Sequence, residues 1–101
     1  MDEQSRVASF VAENDLEAPV AYRLLDTVSE LGEVSKAVCT STAYGSDPEE
    51  VGVPEDELGD ALFALLALCT KLDVDAGAAL ETSLSKYEDR LAETADAGSG
   101  E

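Results

Sequence analysis

The fold is decided by segment 54–69, which reads PEDELGDALFALLALC. A proline begins it, and the acids that follow favour the positive N-terminal end of a helix. From Asp60 onward this helix is apolar on every side, which indicates that it lies at the centre of the fold. Ala64 and Ala67 continue the helix face that carries Glu57 and Asp60. We therefore expect another helix, or a ligand, to come close to that face.

Helical periodicity predicts three further helices around this central one. The first is short and covers 2–13, the second runs from Pro19 to about Thr40, and the last covers about 76–95. An acidic loop is expected over 41–53. The sequence thus predicts an all-α bundle with four helices, the first short.

One stripe of apolar residues follows the second helix at steps of three and four positions. Its members are Ala21, Leu24, Leu25, Val28, Leu31, Val38 and Cys39. Projected at about 100° per residue, Glu30 and Glu33 lie on the opposite side of that helix. The fourth helix carries a similar stripe, made of Leu80, Leu84, Tyr87 and Leu91. We expect one domain over 1–95, followed by a disordered acidic tail over 96–101.

The charge of the chain excludes several kinds of partner. It has 101 residues and a net charge of −17, from 23 acids against 6 lysines and arginines. A chain without a basic patch is not expected to bind nucleic acid or an anionic membrane. Disorder is disfavoured because 45% of the residues are hydrophobic. An acidic, lysine-poor surface is instead typical of a protein adapted to a salt-rich cytoplasm.

The sequence also bears on location and redox state. The longest apolar run, 61–69, is too short to span a bilayer, and the acidic N-terminus is unlike a signal peptide. We therefore expect a cytoplasmic protein. Cys39 and Cys69 are the two cysteines, and both fall at apolar helix positions, which predicts buried, reduced thiols.

One small pattern occurs twice in the chain. Glu30 and Glu33 form the first acid pair, and Glu57 and Asp60 form the second. A spacing of three puts both acids of a pair on one helix face, and two such helices side by side would aim four carboxylates at one point. Converging carboxylates repel one another unless a cation lies between them, and oxygen ligands favour Mg²⁺ or Mn²⁺. Each pair taken alone is also typical of a solvated helix surface.

A glycine lies inside each acid pair, at Gly32 and Gly59. Glycine in the middle of a helix costs about 1 kcal/mol relative to alanine. Close approach of another helix to these positions would explain that cost, so we expect such an approach.

The order of the two motifs resembles the MazG-like nucleotide pyrophosphohydrolases. The resemblance lies in segment 30–38, which reads ELGEVSKAV, and in segment 56–65, which reads DELGDALFAL. The short turn at 72–75 and the segment from Lys86 to Arg90 are also similar, so that the resemblance covers roughly 20–93. It implies an all-α enzyme that hydrolyses nucleoside triphosphates to the monophosphate and pyrophosphate, with Mg²⁺, or Mn²⁺, held by the four acids.

Two positions depart from the family's pattern. Ser29 stands where the family usually has a second glutamate, and Leu84 stands where it often has an asparagine. The first departure removes a carboxylate beside the metal ligands, and the second alters contacts to metal or phosphate. Both leave open a protein that binds metal and nucleotide with little or no turnover.

Three cations are candidates for binding the substrate's phosphates. Lys86 and Arg90 lie one helical turn apart on the fourth helix, and Lys36 follows Glu33 by three residues. In so acidic a chain the first two are equally expected to pair with neighbouring carboxylates. Those neighbours are Glu88, Asp89 and Glu93.

A bundle this thin exposes apolar helix faces, which predicts a homodimer or a dimer of dimers, as the resemblance also implies. An oligomer with a purely structural role, its acids forming a salt-tolerant surface, is the remaining alternative. A di-iron carboxylate bundle is disfavoured because the chain has no histidine.

Overall fold

A computed structural model describes residues 2–96, which form four α-helices and no strand. The helices are α1 (Asp2–Glu13), α2 (Val20–Ser41), α3 (Glu55–Lys71) and α4 (Ala76–Asp96), with a short 3-10 helix at Pro48–Glu50. The predicted all-α class and the short first helix are confirmed. The predicted disordered tail lies outside the described residues, except for Asp96, which ends α4. Within 2–96, no helix combines the length and the apolar content that crossing a membrane requires.

The residues that begin the helices follow the sequence signals. Pro19 and Pro54 occupy the N-cap positions of α2 and α3 with extended backbones. Asp75 precedes α4, and its Oδ1 accepts a hydrogen bond of 3.2 Å from the backbone N–H of Ala78. This bond is the main cause that lowers the pKa of the Asp75 carboxyl. Asp75 is therefore the N-cap of α4, as its place in the sequence predicts.

Helix α3 is the centre of the fold, because both α1 and α2 pack against it. Ala64 and Ala67 are 1% and 5% exposed, so the small-residue face predicted for close approach is covered by helices. Leu62 and Leu65 lie on other sides of α3 and remain about half exposed. One chain therefore buries only part of the apolar surface of its central helix.

Helix α1 is fixed to α3 at two points. The Gln4 amide donates hydrogen bonds to Thr70 Oγ1 (3.2 Å), in the last turn of α3, and to the Val74 carbonyl (2.8 Å), in the connection that follows α3. The Phe10 and Phe63 rings meet edge to face, with centroids 6.0 Å apart. Since Gln4 is level with Thr70 and Phe10 with Phe63, α1 runs antiparallel to α3.

Helix α2 turns its less apolar face towards α3. Arg23 and Thr27 are buried, and the Arg23 guanidinium donates to the Leu16 carbonyl in the α1–α2 connection. The predicted apolar stripe points away from the fold, where Val28 and Leu31 are 60% and 56% exposed. Arg23 and Thr27 are thus covered within one chain, whereas the stripe of large residues remains mostly exposed.

Helix α4 extends from the rest of the fold and makes few contacts with α3. Its predicted apolar stripe is exposed throughout, at Leu80, Leu84, Tyr87 and Leu91. The cysteines are both free, but Cys39 is exposed and only Cys69 is partly covered. The prediction of two buried thiols is therefore wrong for Cys39, which belongs to the outward stripe of α2.

Candidate metal centre

Three carboxylates from the two motif helices meet where α2 crosses α3. Glu30 of α2 and Glu57 and Asp60 of α3 each offer an oxygen, and these three atoms lie within 4.8 Å of one another. Glu30 and Glu57 are partly covered and Asp60 is exposed. The structure thus joins the two sequence motifs in one cluster that is open to solvent on one side.

The cluster is a consequence of how each helix is oriented. Glu57 and Asp60 share the face of α3 that continues into the buried Ala64. Glu30 follows the buried Thr27 by three residues on the face that α2 turns towards α3. The same helix contact that buries the small residues therefore brings the three carboxylates together.

The electrostatics of the cluster oppose full ionisation. Partial loss of solvent raises the pKa of Glu30, and the charges of Asp60, Asp26, Glu57 and Glu33 raise it further. Loss of solvent is likewise the largest cause that raises the pKa of Glu57. The charges of Asp56, Glu33 and Asp60 raise it further. A cation among these carboxylates would remove the repulsion and favour their ionised form.

Glu33, the fourth acid of the motifs, lies outside the group of three. Its side chain is exposed on α2, although its charge contributes to the raised pKa of both Glu30 and Glu57. The structure thus places Glu33 at the edge of the cluster and leaves its carboxylate to solvent.

The donor set fits a hard divalent cation. Two oxygens on opposite sides of an octahedral Mg²⁺ are about 4.2 Å apart, since each Mg–O distance is about 2.1 Å. A spread of 4.8 Å therefore needs only small side-chain movements to enclose such an ion. All donors are carboxylate oxygens, which suit Mg²⁺ or Mn²⁺ better than softer metals.

The candidate phosphate-binding cations are not drawn to this cluster. On α4, the Lys86 ammonium lies 5.0 Å and the Arg90 guanidinium 5.6 Å from the centre of the Tyr87 ring. Neither forms an ion pair with a carboxylate within residues 2–96. Lys36 is exposed on α2. All three cations are left available to a ligand or to another chain.

The two motif glycines have free space around them. A Cβ built on Gly32 or on Gly59 would meet nothing within 4 Å. The predicted close approach of another helix is therefore wrong for a single chain. The cost of a glycine at these positions is not offset by any contact within one chain.

A groove of about 980 Å³ opens beside the cluster, between α1 and α3. Asp60 and Gly59 line it on α3, and Arg6 and Phe10 line it on α1. The sequence did not identify Arg6, because α1 carries no recognisable motif. One sequence feature could have indicated Arg6: it precedes Phe10 by four residues, which puts both side chains on one helix face.

No protein-family model, curated protein or solved structure matches this chain. The resemblance to the MazG-like pyrophosphohydrolases thus depends on the paired motifs and their order along the helices.

Proposed function

We propose that this protein is a Mg²⁺-dependent nucleoside-triphosphate pyrophosphohydrolase of the MazG-like type. The observation that carries the proposal is the meeting of Glu30, Glu57 and Asp60 within 4.8 Å, because it joins both motifs at one point. Nucleotide-pool housecleaning in the cytoplasm is the role that we propose for such an activity.

The proposed reaction divides the acids into two roles. Glu30, Glu57 and Asp60 would hold Mg²⁺, or Mn²⁺ in its place. Such an ion, when bound, would neutralise phosphate oxygens and lower the pKa of a bound water. Glu33, outside this group, has a carboxylate free to accept the proton of the attacking water. Attack of that water on the α-phosphorus would break the bond between this phosphorus and the oxygen that joins it to the β-phosphorus. The monophosphate and pyrophosphate are then the products.

A second candidate is a module that binds metal and nucleotide but turns over slowly. It is favoured by the position of Lys86 and Arg90, which stack on Tyr87 on a helix that barely touches α3. Ser29 also lacks the carboxylate that the family usually has there. In this candidate the cluster binds its ligand without the groups that stabilise the leaving pyrophosphate.

We further propose that the chain functions as a homodimer, or as a dimer of dimers. Its accessible surface is 7274 Å², whereas a compact monomer of 10.6 kDa exposes about 5,500 Å². Its radius of gyration is 17.6 Å, against about 12.7 Å for a compact domain of this length. The excess area exceeds the roughly 800 Å² that each partner buries in a standard interface. The apolar stripes of α2 and α4 are the surfaces that such an assembly would cover.

The proposed activity is tested by product analysis in high KCl, with Mg²⁺ or Mn²⁺ and a panel of ribo- and deoxyribonucleoside triphosphates. We expect equal amounts of monophosphate and pyrophosphate, and no product from Asp60→Ala. The matched control is Glu49→Ala, which removes an exposed acid of the loop.

Other outcomes separate the candidates. A folded protein that binds Mn²⁺ and nucleotide without forming product would identify the binding module. If neither Mg²⁺ nor Mn²⁺ changes thermal stability at fixed KCl, the acids serve as a surface and the oligomer is structural.

A further inference from the structure

The groove between α1 and α3 is continuous with the candidate metal centre through one shared residue. Asp60 belongs to the carboxylate cluster and also lines the groove. The other residues that the argument uses are Arg6, Val7, Phe10, Gly59 and Phe63. A ligand whose phosphates are held at the cluster would therefore have its remaining part beside or within this groove.

The groove changes character along its length. Its end at Asp60 is acidic, its middle is formed by the Phe10 and Phe63 rings, and Arg6 lies further along α1. Since Gln4 is level with Thr70 and Phe10 with Phe63, Arg6 is level with the part of α3 between Phe63 and Thr70. From Asp60 to Leu66, which also lines the groove, a helix rises about 9 Å. That length is comparable to the extent of a nucleoside.

The middle of the groove suits a flat aromatic ligand. The edge-to-face pair of Phe10 and Phe63 presents ring surface on which a nucleobase can stack. Gly59 contributes no side chain, and the space that its Cβ would take is empty. The cost of glycine at this helix position, which no intrachain contact offsets, is explained if a ligand approaches there.

Arg6 is the charged hydrogen-bond donor among the residues that line the groove. The other charged residues of the lining are Glu3, Glu55 and Asp60, and an ionised carboxylate only accepts. A guanidinium donates two hydrogen bonds to guanine, at O6 and N7, whereas in adenine the N7 acceptor stands beside an amino donor, so that the second bond is lost. Uracil and thymine also present carbonyl oxygens.

We propose that this groove holds the nucleoside part of the substrate, and that Arg6 selects bases with a carbonyl oxygen over adenine. This inference rests on the proposed function, because the phosphates must first be anchored at the carboxylate cluster. Arg6 is then a specificity-determining residue on a helix that carries neither acid motif.

The test is binding, so that it does not depend on turnover. Dissociation constants of the α,β-methylene analogues of GTP, UTP and ATP are measured by calorimetry with Mn²⁺ in high KCl. A good arginine–base contact corresponds to about tenfold discrimination or more, so we expect GTP and UTP analogues to bind about tenfold more tightly than the ATP analogue. Arg6→Gln should remove this preference by weakening the binding of the GTP and UTP analogues. Arg6→Lys should retain part of the preference.

Two variants complete the design. Lys71→Gln removes the same charge from an exposed residue at the end of α3, and should keep the preference. Gly59→Leu places a large side chain in the groove at a position with free space. It should weaken the binding of all three analogues, while Mn²⁺ alone still binds.

The outcomes separate this inference from the proposed function. If the wild type binds the analogues but Arg6→Gln retains the preference, or if the wild type has none, the role of Arg6 is wrong and the metal centre is unaffected. If Gly59→Leu binds all three as the wild type does, the groove does not hold the nucleoside. If the wild type binds no analogue, the proposed function fails and the inference fails with it.

Discussion

Glu30 of α2 and Asp60 of α3 offer carboxylate oxygens within 4.8 Å of each other, across the contact between the two helices. Asp60 is also the largest source of charge repulsion that raises the pKa of Glu30. Two negative groups held this close oppose the helix contact that holds them. A cation that binds between them should therefore stabilise the fold as well as enable chemistry.

The first prediction concerns metal-linked stability. We expect Mn²⁺ or Mg²⁺ to raise the melting temperature in fixed KCl, with a gain in unfolding free energy of about 2.7 kcal/mol at a hundred times the Kd. Asp60→Asn and Glu30→Gln should abolish the gain. Glu33 lies outside the group of three, so Glu33→Gln should weaken Mn²⁺ binding by about tenfold without abolishing it, as for a residue beside the ligands.

Differential scanning fluorimetry with a metal titration, reversed by EDTA, measures this effect. Glu49→Gln serves as a charge-matched control from the exposed loop. A gain that survives in Asp60→Asn would mean that the ions act on the net charge of −17 and not at the cluster.

The second prediction concerns pH in the absence of metal. Because the folded state raises the pKa of Glu30 and Glu57, it binds more protons than the unfolded chain between the ordinary and the raised pKa. Their contribution to stability is thus fully present below the ordinary pKa and is lost as the pH rises through the raised one. Glu30→Gln cannot ionise, so it should be more stable than the wild type at neutral pH, with an advantage that shrinks as the pH falls towards 4.5.

Urea unfolding in EDTA at several pH values measures this difference. Glu49→Gln again reports the effect of removing one charge from an exposed position. An advantage of Glu30→Gln that is the same at every pH would contradict the proposed origin of the pKa shift.

The sequence predicts the helices well and their orientation less well. Proline positions, an N-cap at Asp75 and helical periodicity place all four helices close to their observed ends. The three-residue spacing of acids identifies Glu57 and Asp60 as neighbours, since spacing within a helix is local. Which face α2 turns to α3 is not local: the apolar stripe with Val28 is the better candidate by hydrophobicity, yet it is exposed. The residues of α2 that are buried are instead Arg23 and Thr27.

The remaining parts of the site depend on contacts between distant segments. The position of Arg6 in the groove follows from the hydrogen bonds of Gln4 and from the Phe10–Phe63 pair, and no sequence pattern predicts either of these contacts. The separation of Lys86 from the cluster likewise follows from how little α4 touches α3.

The third prediction uses the motif glycines as probes. Gly59→Ala should raise the unfolding free energy by about 0.5–1 kcal/mol, because alanine is the better helix former and its Cβ meets nothing within 4 Å. Gly32→Ala should do the same. For a domain of this size, 1 kcal/mol corresponds to a rise in Tm of about 4–8 °C.

Thermal and urea unfolding without ligand measure both glycine variants. A loss of stability in Gly32→Ala alone would show that another chain approaches α2 at this position in the assembled protein. A loss in both would mean that the helix contact is closer in solution than in the structure.

The last prediction concerns the exposed stripe of α2. Val28 is 60% exposed in one chain, so Val28→Lys should have little effect on the fold of a monomer. In a twofold dimer that buries this stripe, the change occurs twice, and each buried valine contributes about 1.5–3 kcal/mol to the interface. The dimer Kd should then rise by about a hundredfold or more. Tyr44→Lys is the matched control, because Tyr44 is 81% exposed in the loop after α2 and outside the stripe. Sedimentation velocity in high KCl distinguishes the cases. If Val28→Lys dissociates and Tyr44→Lys remains a dimer, the interface includes the stripe of α2. If both variants remain dimers, the interface lies elsewhere.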